Sequence, residues 1–308
     1  MKILLTGGTG FIGCHLIQKL LNKNNTIILI KRSSSDIWRI KEYINDIIYY
    51  DVDMIADFSN IFKKHRPETI IHLAGIYKKD PLSEQDIEDM NNTNINFPAK
   101  LLNCAVRHRV KNVINTGTFF EYDRSQGFIT EQSKILPLNY YTLTKIAFET
   151  ILKHYATSHK LRSVTLKLFS SYGEKDNDKV IPLMIDSLLH NRILLLGNGK
   201  QHLSFTYIED VVKAYMQAIS FLESDKYKHY EVFNICDPKS YSIIDVLHRL
   251  IKISSRDGKS IQLGARSFSE REIENVYANC NKAQRILGWK PKTPLQEGLT
   301  KTYRYYKS

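Results

Sequence analysis

Short runs of β-branched and leucine residues alternate along the first half of the chain with longer stretches whose apolar positions recur every three or four residues. Ile3-Leu4-Leu5, Ile27 to Ile30, Ile47 to Asp51, Ile70 to Leu73 and Val113 to Thr116 read as buried strands, and residues 11–22 carry a helical period. Val164 to Phe169 reads as a further strand. Such alternation predicts βαβ units, hence an α/β protein with a doubly wound parallel sheet covered by helices on both faces. Beyond Phe169 the elements shorten. Leu194 to Leu196 precedes Gly197-Asn198-Gly199, Phe205 to Tyr207 leads into a helix from about Ile208, and Ser242 is a good N-cap for a helix over Ile243 to Leu247. No linker rich in Pro, Gly or Ser separates the halves. The expected division is therefore 1–170 for the sheet domain, with some later segments returning to it, and 171–308 for a smaller lobe packed against the sheet.

A chain of 308 residues can bury a large core without disulfides or metals. Its four cysteines, Cys14, Cys104, Cys236 and Cys280, are scattered, with no Cys-x-x-Cys pair, so no metal site is expected and the thiols read as reduced and cytoplasmic. No apolar run approaches the roughly 20 residues that span a bilayer, and Lys2 is followed by only Ile3-Leu4-Leu5 before a glycine turn, so neither a membrane anchor nor a signal peptide is expected. The formal charge of +12 points to anionic partners. The basic residues form no dense run and no nucleic-acid-binding motif accompanies them, so nucleic acid is not expected as a partner.

Thr6-Gly7-Gly8-Thr9-Gly10-Phe11-Ile12-Gly13 lies directly between the first strand and the first helix. Glycines at 7, 10 and 13 allow a tight turn, close approach of backbone to a pyrophosphate, and close helix–strand packing. Phe11, Ile12 and Gly13 then open a helix whose N-terminus favours phosphate. This places a dinucleotide at the N-terminal end of a Rossmann-type domain. At the end of the second strand an NAD site usually carries an acid for the ribose 2′-hydroxyl. Here the run is Lys31-Arg32-Ser33-Ser34-Ser35, with no acid before Asp36. A guanidinium at 32 and a hydroxyl at 33 suit a 2′-phosphate, which favours NADP (as NADPH) over NAD.

Tyr141 and Lys145 stand four residues apart in an amphipathic stretch, on one face of a helix. A free phenol titrates near 10, and a neighbouring ammonium stabilises its anion, so the pair suits proton transfer. With the glycine loop, this brings out a resemblance that runs over nearly the whole chain. The sequence resembles the extended short-chain dehydrogenase/reductase family, specifically its nucleotide-sugar epimerase/dehydratase group. The matches are Thr6 to Gly13, Asp51-Val52, His72 to Gly75, Asn94, Thr118 with Tyr122, and Tyr141 to Lys145. They continue through Leu168 to Gly173, Gly197-Asn198-Gly199 with Asp210, and Leu287 to Pro291.

The resemblance implies that Asp51 and Val52 border the adenine and that Leu73, Ala74 and Gly75 pass beside the cofactor. Asn94, Thr116 and Leu168 join them as cofactor-binding positions, and Lys145 would also hold the cofactor ribose. Thr118 would hydrogen-bond the reacting oxygen while Tyr141 moves its proton. Phe119, Ser170, Arg266, Arg271 and Glu272 are the expected substrate contacts in a substrate-binding C-terminal lobe. Residues on the helix of the Tyr/Lys pair, among them Ile146, Phe148, Ile151 and Leu152, would help form a homodimer. Three departures shape the expected reaction. The Asp-Glu pair of the 4,6-dehydratases is Phe119-Phe120 here, the family's strand-end Asn is Ser170, and the Arg usual beyond the Gly-x-Gly turn is Leu203. The second half, from Leu263-Gly264-Ala265 through Val276-Tyr277-Ala278-Asn279, looks similar to 4-keto reductases of the CDP-abequose and CDP-paratose synthase type. The reaction implied is NADPH-dependent reduction of the C4 keto group of a nucleotide-diphosphate-linked 4-keto-6-deoxy sugar, as in deoxysugar biosynthesis for surface polysaccharide. The alternatives are an NAD-dependent nucleotide-sugar 4-epimerase and, further off, a cofactor-sensing or RNA-binding relative without catalysis.

Overall fold

The computed structural model describes residues 1–55, 57–78, 82–123, 127–224, 229–265 and 275–308. In chain order its first half holds β1 (Lys2–Thr6), α1 (Phe11–Leu21), β2 (Thr26–Lys31), β3 (Ile48–Asp51), α2 (Ser59–His65), β4 (Thr69–His72), α3 (Glu84–Asn91), α4 (Phe97–Arg107), β5 (Asn112–Thr118), α5 (Tyr140–His159) and β6 (Arg162–Leu168). Then come β7 (Ser171–Tyr172), α6 (Val180–His190), β8 (Leu194–Leu195), β9 (His202–Leu203), β10 (Thr206–Tyr207), α7 (Ile208–Glu223), β11 (Tyr230–Ile235), β12 (Tyr241–Ser242), α8 (Ile243–Ser254), β13 (Ile261–Gln262) and α9 (Leu295–Lys307).

The chain divides into two compact units. The first comprises 1–122, 135–167 and 212–233, and the second comprises 123–134, 168–211 and 234–308. The sheet has seven strands in the order β3-β2-β1-β4-β5-β6-β11, and β1 pairs in parallel with both β2 and β4. This is a doubly wound, Rossmann-type sheet. Strands run outward from β1 in both directions, so the order reverses between β1 and β4, where ligands of such sheets bind at the carboxyl ends. β1, β2 and β4 are almost continuously apolar because both faces are covered. Leu4, Ile28, Ile70, Leu101, Leu102, Val113, Phe148 and Leu152 form one buried cluster. Phe148 and Leu152 are thus part of the chain's own core and offer no surface to a second copy.

Within the second unit, β7 pairs with β10, β8 with β13 and β9 with β12. Ser242 caps α8: its hydroxyl accepts from the Asp245 N–H at 3.0 Å, and the Asp245 carboxylate accepts from the Ser242 N–H at 3.0 Å. Asp210 anchors the Leu287–Pro291 run. Its carbonyl accepts from the Trp289 indole at 2.8 Å, and its carboxylate accepts from the backbone N–H groups of Lys292 and Thr293 at 3.0 and 2.8 Å. All four cysteines are buried and none is in a disulfide. Among the described residues no helix is long and apolar enough to cross a membrane, and no three His, Cys, Asp or Glu side chains gather to hold a metal.

Candidate active site

The glycine loop lies at the reversal point of the sheet, and two of its glycines are sterically obligatory. Gly7 has φ +71°, and a Cβ there would stand 2.6 Å from the Ala74 nitrogen and 2.7 Å from the Leu73 carbonyl carbon. A Cβ on Gly13 would stand 2.3 Å from the Gly7 oxygen. Gly10 differs: the nearest atom to its Cβ would be the Gly7 oxygen at 3.3 Å, so its outer side is open. Its N–H donates to the Gly7 carbonyl at 3.1 Å, which closes the turn. No side chain caps α1, whose first turn is Phe11, Ile12 and Gly13. An uncapped helix start above an open glycine turn fits a pyrophosphate in charge and in space.

The tail of β4 is tied to the loop. Thr6 Oγ1 is 2.8 Å from His72 Nδ1, and the Ala74 N–H donates to Thr6 Oγ1 at 3.3 Å. Burial pushes His72 down to about 3, and nearby Lys145 adds to the shift. The imidazole is therefore neutral and structural. Asn94 is buried, with its amide already occupied: it accepts from the Ile76 N–H at 2.8 Å and donates to the Ile76 carbonyl and to Thr144 Oγ1, both at 2.9 Å. In this structure it links the segment after β4 to α5.

At the end of β2 the pattern is more crowded than the sequence suggests. Lys31 pairs with the carboxylate of Asp51, one strand over, and lies above the Tyr49 ring at 5.3 Å. The Ser33 N–H donates to Asp53 Oδ1 at 3.0 Å. Its hydroxyl bonds the same carboxylate, and both contacts hold Asp53 below the usual carboxylate range. Arg32 is exposed between these pairs, and Val52 follows Asp51 in a single 3-10 turn.

Asn139 sets the start of α5. It accepts from the Thr142 N–H at 3.0 Å, and Thr142 Oγ1 accepts from the Asn139 N–H at 3.0 Å. The reciprocal cap places Tyr141 in the first turn and Lys145 one turn later. Thr144 Oγ1 donates to the Tyr141 carbonyl at 2.7 Å, so the Asn94 amide braces this turn as well. Tyr77 meets the Tyr141 ring edge-on at 5.3 Å between centroids. Burial first, then the carboxylate of Glu121 and the Tyr77 phenol, push Tyr141 up to about 12. Burial pulls Lys145 down, against the carboxylates of Glu121 and Glu149. Thr118 ends β5 and is nearly buried; α5 packs on β5 and on the 119–121 turn that follows. The first unit alone therefore gathers the glycine cradle, Thr118, Tyr141 and Lys145.

Other expected site residues are placed as follows. Thr116 Oγ1 lies 2.7 Å from the buried Tyr215 hydroxyl. Phe119 is buried, with its ring centroid 4.2 Å from that of Phe120. Gly75 is open apart from the Asn94 carboxamide oxygen, 3.5 Å from where a Cβ would stand. Leu168 ends β6, and the Ser170 carbonyl accepts from the Thr206 N–H at 3.1 Å. Leu203 sits in β9 opposite Tyr241. Arg266, Arg271 and Glu272 lie outside the described residues. Sequence reasoning passed over a buried charged group beside Thr118, formed by Glu121, Lys167 and Glu149. Two spacings could have revealed it: Thr118-x-x-Glu121 is that of a capping box, and Glu149 continues the four-residue series of Tyr141 and Lys145.

The fold and this site define an enzyme built on a dinucleotide-binding sheet. The model of the NAD dependent epimerase/dehydratase family matches residues 3–236, and the chain belongs to that family. It is 29% identical to CDP-abequose synthase of Salmonella muenchen, over 97% of this chain and 96% of that one. It is 27% identical to a putative UDP-glucose 4-epimerase of Methanocaldococcus jannaschii, over 99% of this chain and 98% of the relative. Among solved structures, UDP-glucuronic acid 4-epimerase from Bacillus cereus, in complex with UDP-glucuronic acid and NAD, superposes with a TM-score of 0.88. It shares 26% identity over 100% of this chain and 99% of that one.

Proposed function

We propose that the protein reduces the C4 keto group of a nucleotide-diphosphate-linked 4-keto-6-deoxy sugar with NADPH. The observation that carries this reading is the placement of Tyr141, which the Asn139 cap sets in the first turn of α5, one turn before Lys145 and in the same unit as Thr118 and the glycine cradle. Its phenol is kept protonated by burial and by Glu121, which makes it an acid ready to meet an oxygen that gains charge. Thr118 steadies that oxygen by a hydrogen bond, and Lys145 holds the ribose. The bound nicotinamide supplies the hydride. Phe119 and Phe120 stand where a dehydratase resembling this chain carries its acid pair, so elimination of water lacks its groups. The likeness to CDP-abequose synthase supports the same reading. A homodimer would use outer residues of α5 such as the exposed Leu143, since Phe148 and Leu152 are core.

A second reading, an NAD-dependent 4-epimerase, is favoured by one specific observation. Ser33 already donates to Asp53, so two carboxylates, Asp51 and Asp53, stand near the expected 2′-phosphate position and Lys31 is engaged by one of them. The reductase reading therefore rests its cofactor choice on Arg32. NADPH binds wild type more tightly than NADH by about 10- to 150-fold, the worth of one charge-assisted hydrogen bond. Arg32→Asp reverses the preference, because a third carboxylate repels the phosphate yet accepts from a free 2′-hydroxyl. Paired titrations of NADPH and NADH on both proteins at fixed ionic strength measure this. A wild-type preference for NADH would put the epimerase ahead.

A further inference from the structure

Glu121 is fully buried beside the end of β5, where an unpaired carboxylate would carry a large desolvation cost. Its two oxygens serve different partners. Oε1 accepts the backbone N–H of Thr118 at 2.8 Å, and Oε2 lies 2.9 Å from Nζ of Lys167 on β6. Lys167 is itself buried, lies over the Tyr122 ring at 4.6 Å, and reaches Glu149 Oε2 at 3.6 Å. Glu149 stands close enough to the Glu121 carboxylate and the Tyr230 phenol for both to act on its titration. The Tyr230 hydroxyl is 3.1 Å from Thr165 Oγ1, which accepts from the Asn115 amide at 3.2 Å. A polar chain thus runs from the middle of the sheet to the main chain of Thr118.

Gly117 makes room for it: a Cβ there would stand 3.1 Å from Glu121 Oε1 and 3.1 Å from Lys167 Cγ. A capping box that merely closed the 118–121 turn would need no buried lysine behind it. Buried ion pairs are poor stabilisers beside well-packed apolar groups of similar volume, so stability alone gives little reason for this one. What it does give is direction. The carboxylate is locked by Lys167 and in turn locks the peptide that carries the Thr118 hydroxyl.

We propose that Glu121, held by Lys167, is a positioning residue that fixes the Thr118 main chain and thereby aims its hydroxyl at the reacting oxygen. This rests on the assignment of Thr118, Tyr141 and Lys145 as the reacting set, and the test separates the two. Glu121→Gln, Thr118→Val and the double variant are assayed with NADPH and CDP-linked 4-keto-6-deoxyglucose. Glu121→Gln lowers kcat about 10- to 100-fold, the scale of a small misplacement of a reacting group. KM and NADPH affinity stay within about twofold, because the residue touches neither ligand. At neutral pH, where burial keeps the Tyr141 phenol protonated with or without the Glu121 charge, the double variant is no slower than Thr118→Val by more than about twofold, since the positioning acts through one hydroxyl. A folded Glu121→Gln enzyme with wild-type kcat, or losses that multiply in the double variant, overturns the proposal while leaving Thr118 in place. A silent Thr118→Val overturns the reading beneath it, and the proposal with it. If Glu121→Gln fails to fold, Gly117→Ala crowds the same carboxylate, together with Thr165 Cγ2 and Lys167 Cγ, by tenths of an ångström. The same fall in kcat at unchanged KM supports the proposal, and a wild-type kcat overturns it.

Discussion

Tyr141→Phe lowers turnover about 10²- to 10⁴-fold, the usual worth of a positioned general acid, and leaves fold and cofactor binding nearly intact. The variant removes one oxygen. The ring keeps its edge-on contact with Tyr77, and the cap at Asn139 that places the first turn of α5 involves Thr142, not Tyr141. The Tyr141 carbonyl still accepts from Thr144. Circular dichroism, a thermal melt and an NADPH titration should therefore match wild type while kcat collapses. A Phe variant at wild-type speed would remove Tyr141 from the chemistry.

Glu149→Gln stabilises the protein above neutral pH. Burial first, and then the neighbouring carboxylate of Glu121, push Glu149 up to about 7 against an ordinary 4.5, with Lys167 working the other way. A raised carboxyl pKa means that the folded state prefers the proton. Its contribution to stability is fully present below about pH 4.5 and is lost as pH rises through 7. A difference of about 2.5 units corresponds to at most about 3 kcal/mol. Gln imitates the protonated group and has no such term. The stability of the variant minus that of wild type should be about 1 kcal/mol at pH 5, smaller still toward pH 4, and should rise to a plateau of at most about 3 kcal/mol above pH 8. Taking the difference cancels the other carboxylates that unfold both proteins in acid. Urea unfolding at pH 5, 6, 7 and 8 reads the curve, and a difference that does not change with pH would mean that Glu149 is ionised throughout.

Much of this fold was legible because the central strands β1, β2 and β4 are buried on both faces and so read as apolar runs. β11 was not legible. Tyr230-Glu231-Val232-Phe233-Asn234-Ile235 mixes polar and apolar residues, and its first three are only half-buried, so neither a run nor a clean alternation appears. The cradle could be read because Gly7 and Gly13 each answer a backbone collision that only glycine avoids. The cofactor loop was read less completely. Lys31-Arg32-Ser33 looked free of acids along the chain, whereas the parallel pairing of β2 with β3 brings Asp51 opposite Lys31. Glu121 stayed hidden for a similar reason. As sequence it is a polar residue in a turn, and its role exists only because β6 delivers Lys167 to it.

The reaction itself is tested most directly by adding a 4-keto-6-deoxy nucleotide sugar to the protein with NADPH and following absorbance together with product. The reductase account expects one NADPH oxidised for each sugar reduced at C4, with no reaction when NADPH is omitted. C4 inversion of a nucleotide hexose by the protein with its bound NAD unchanged, and no NADPH consumed with the keto sugar, would contradict it.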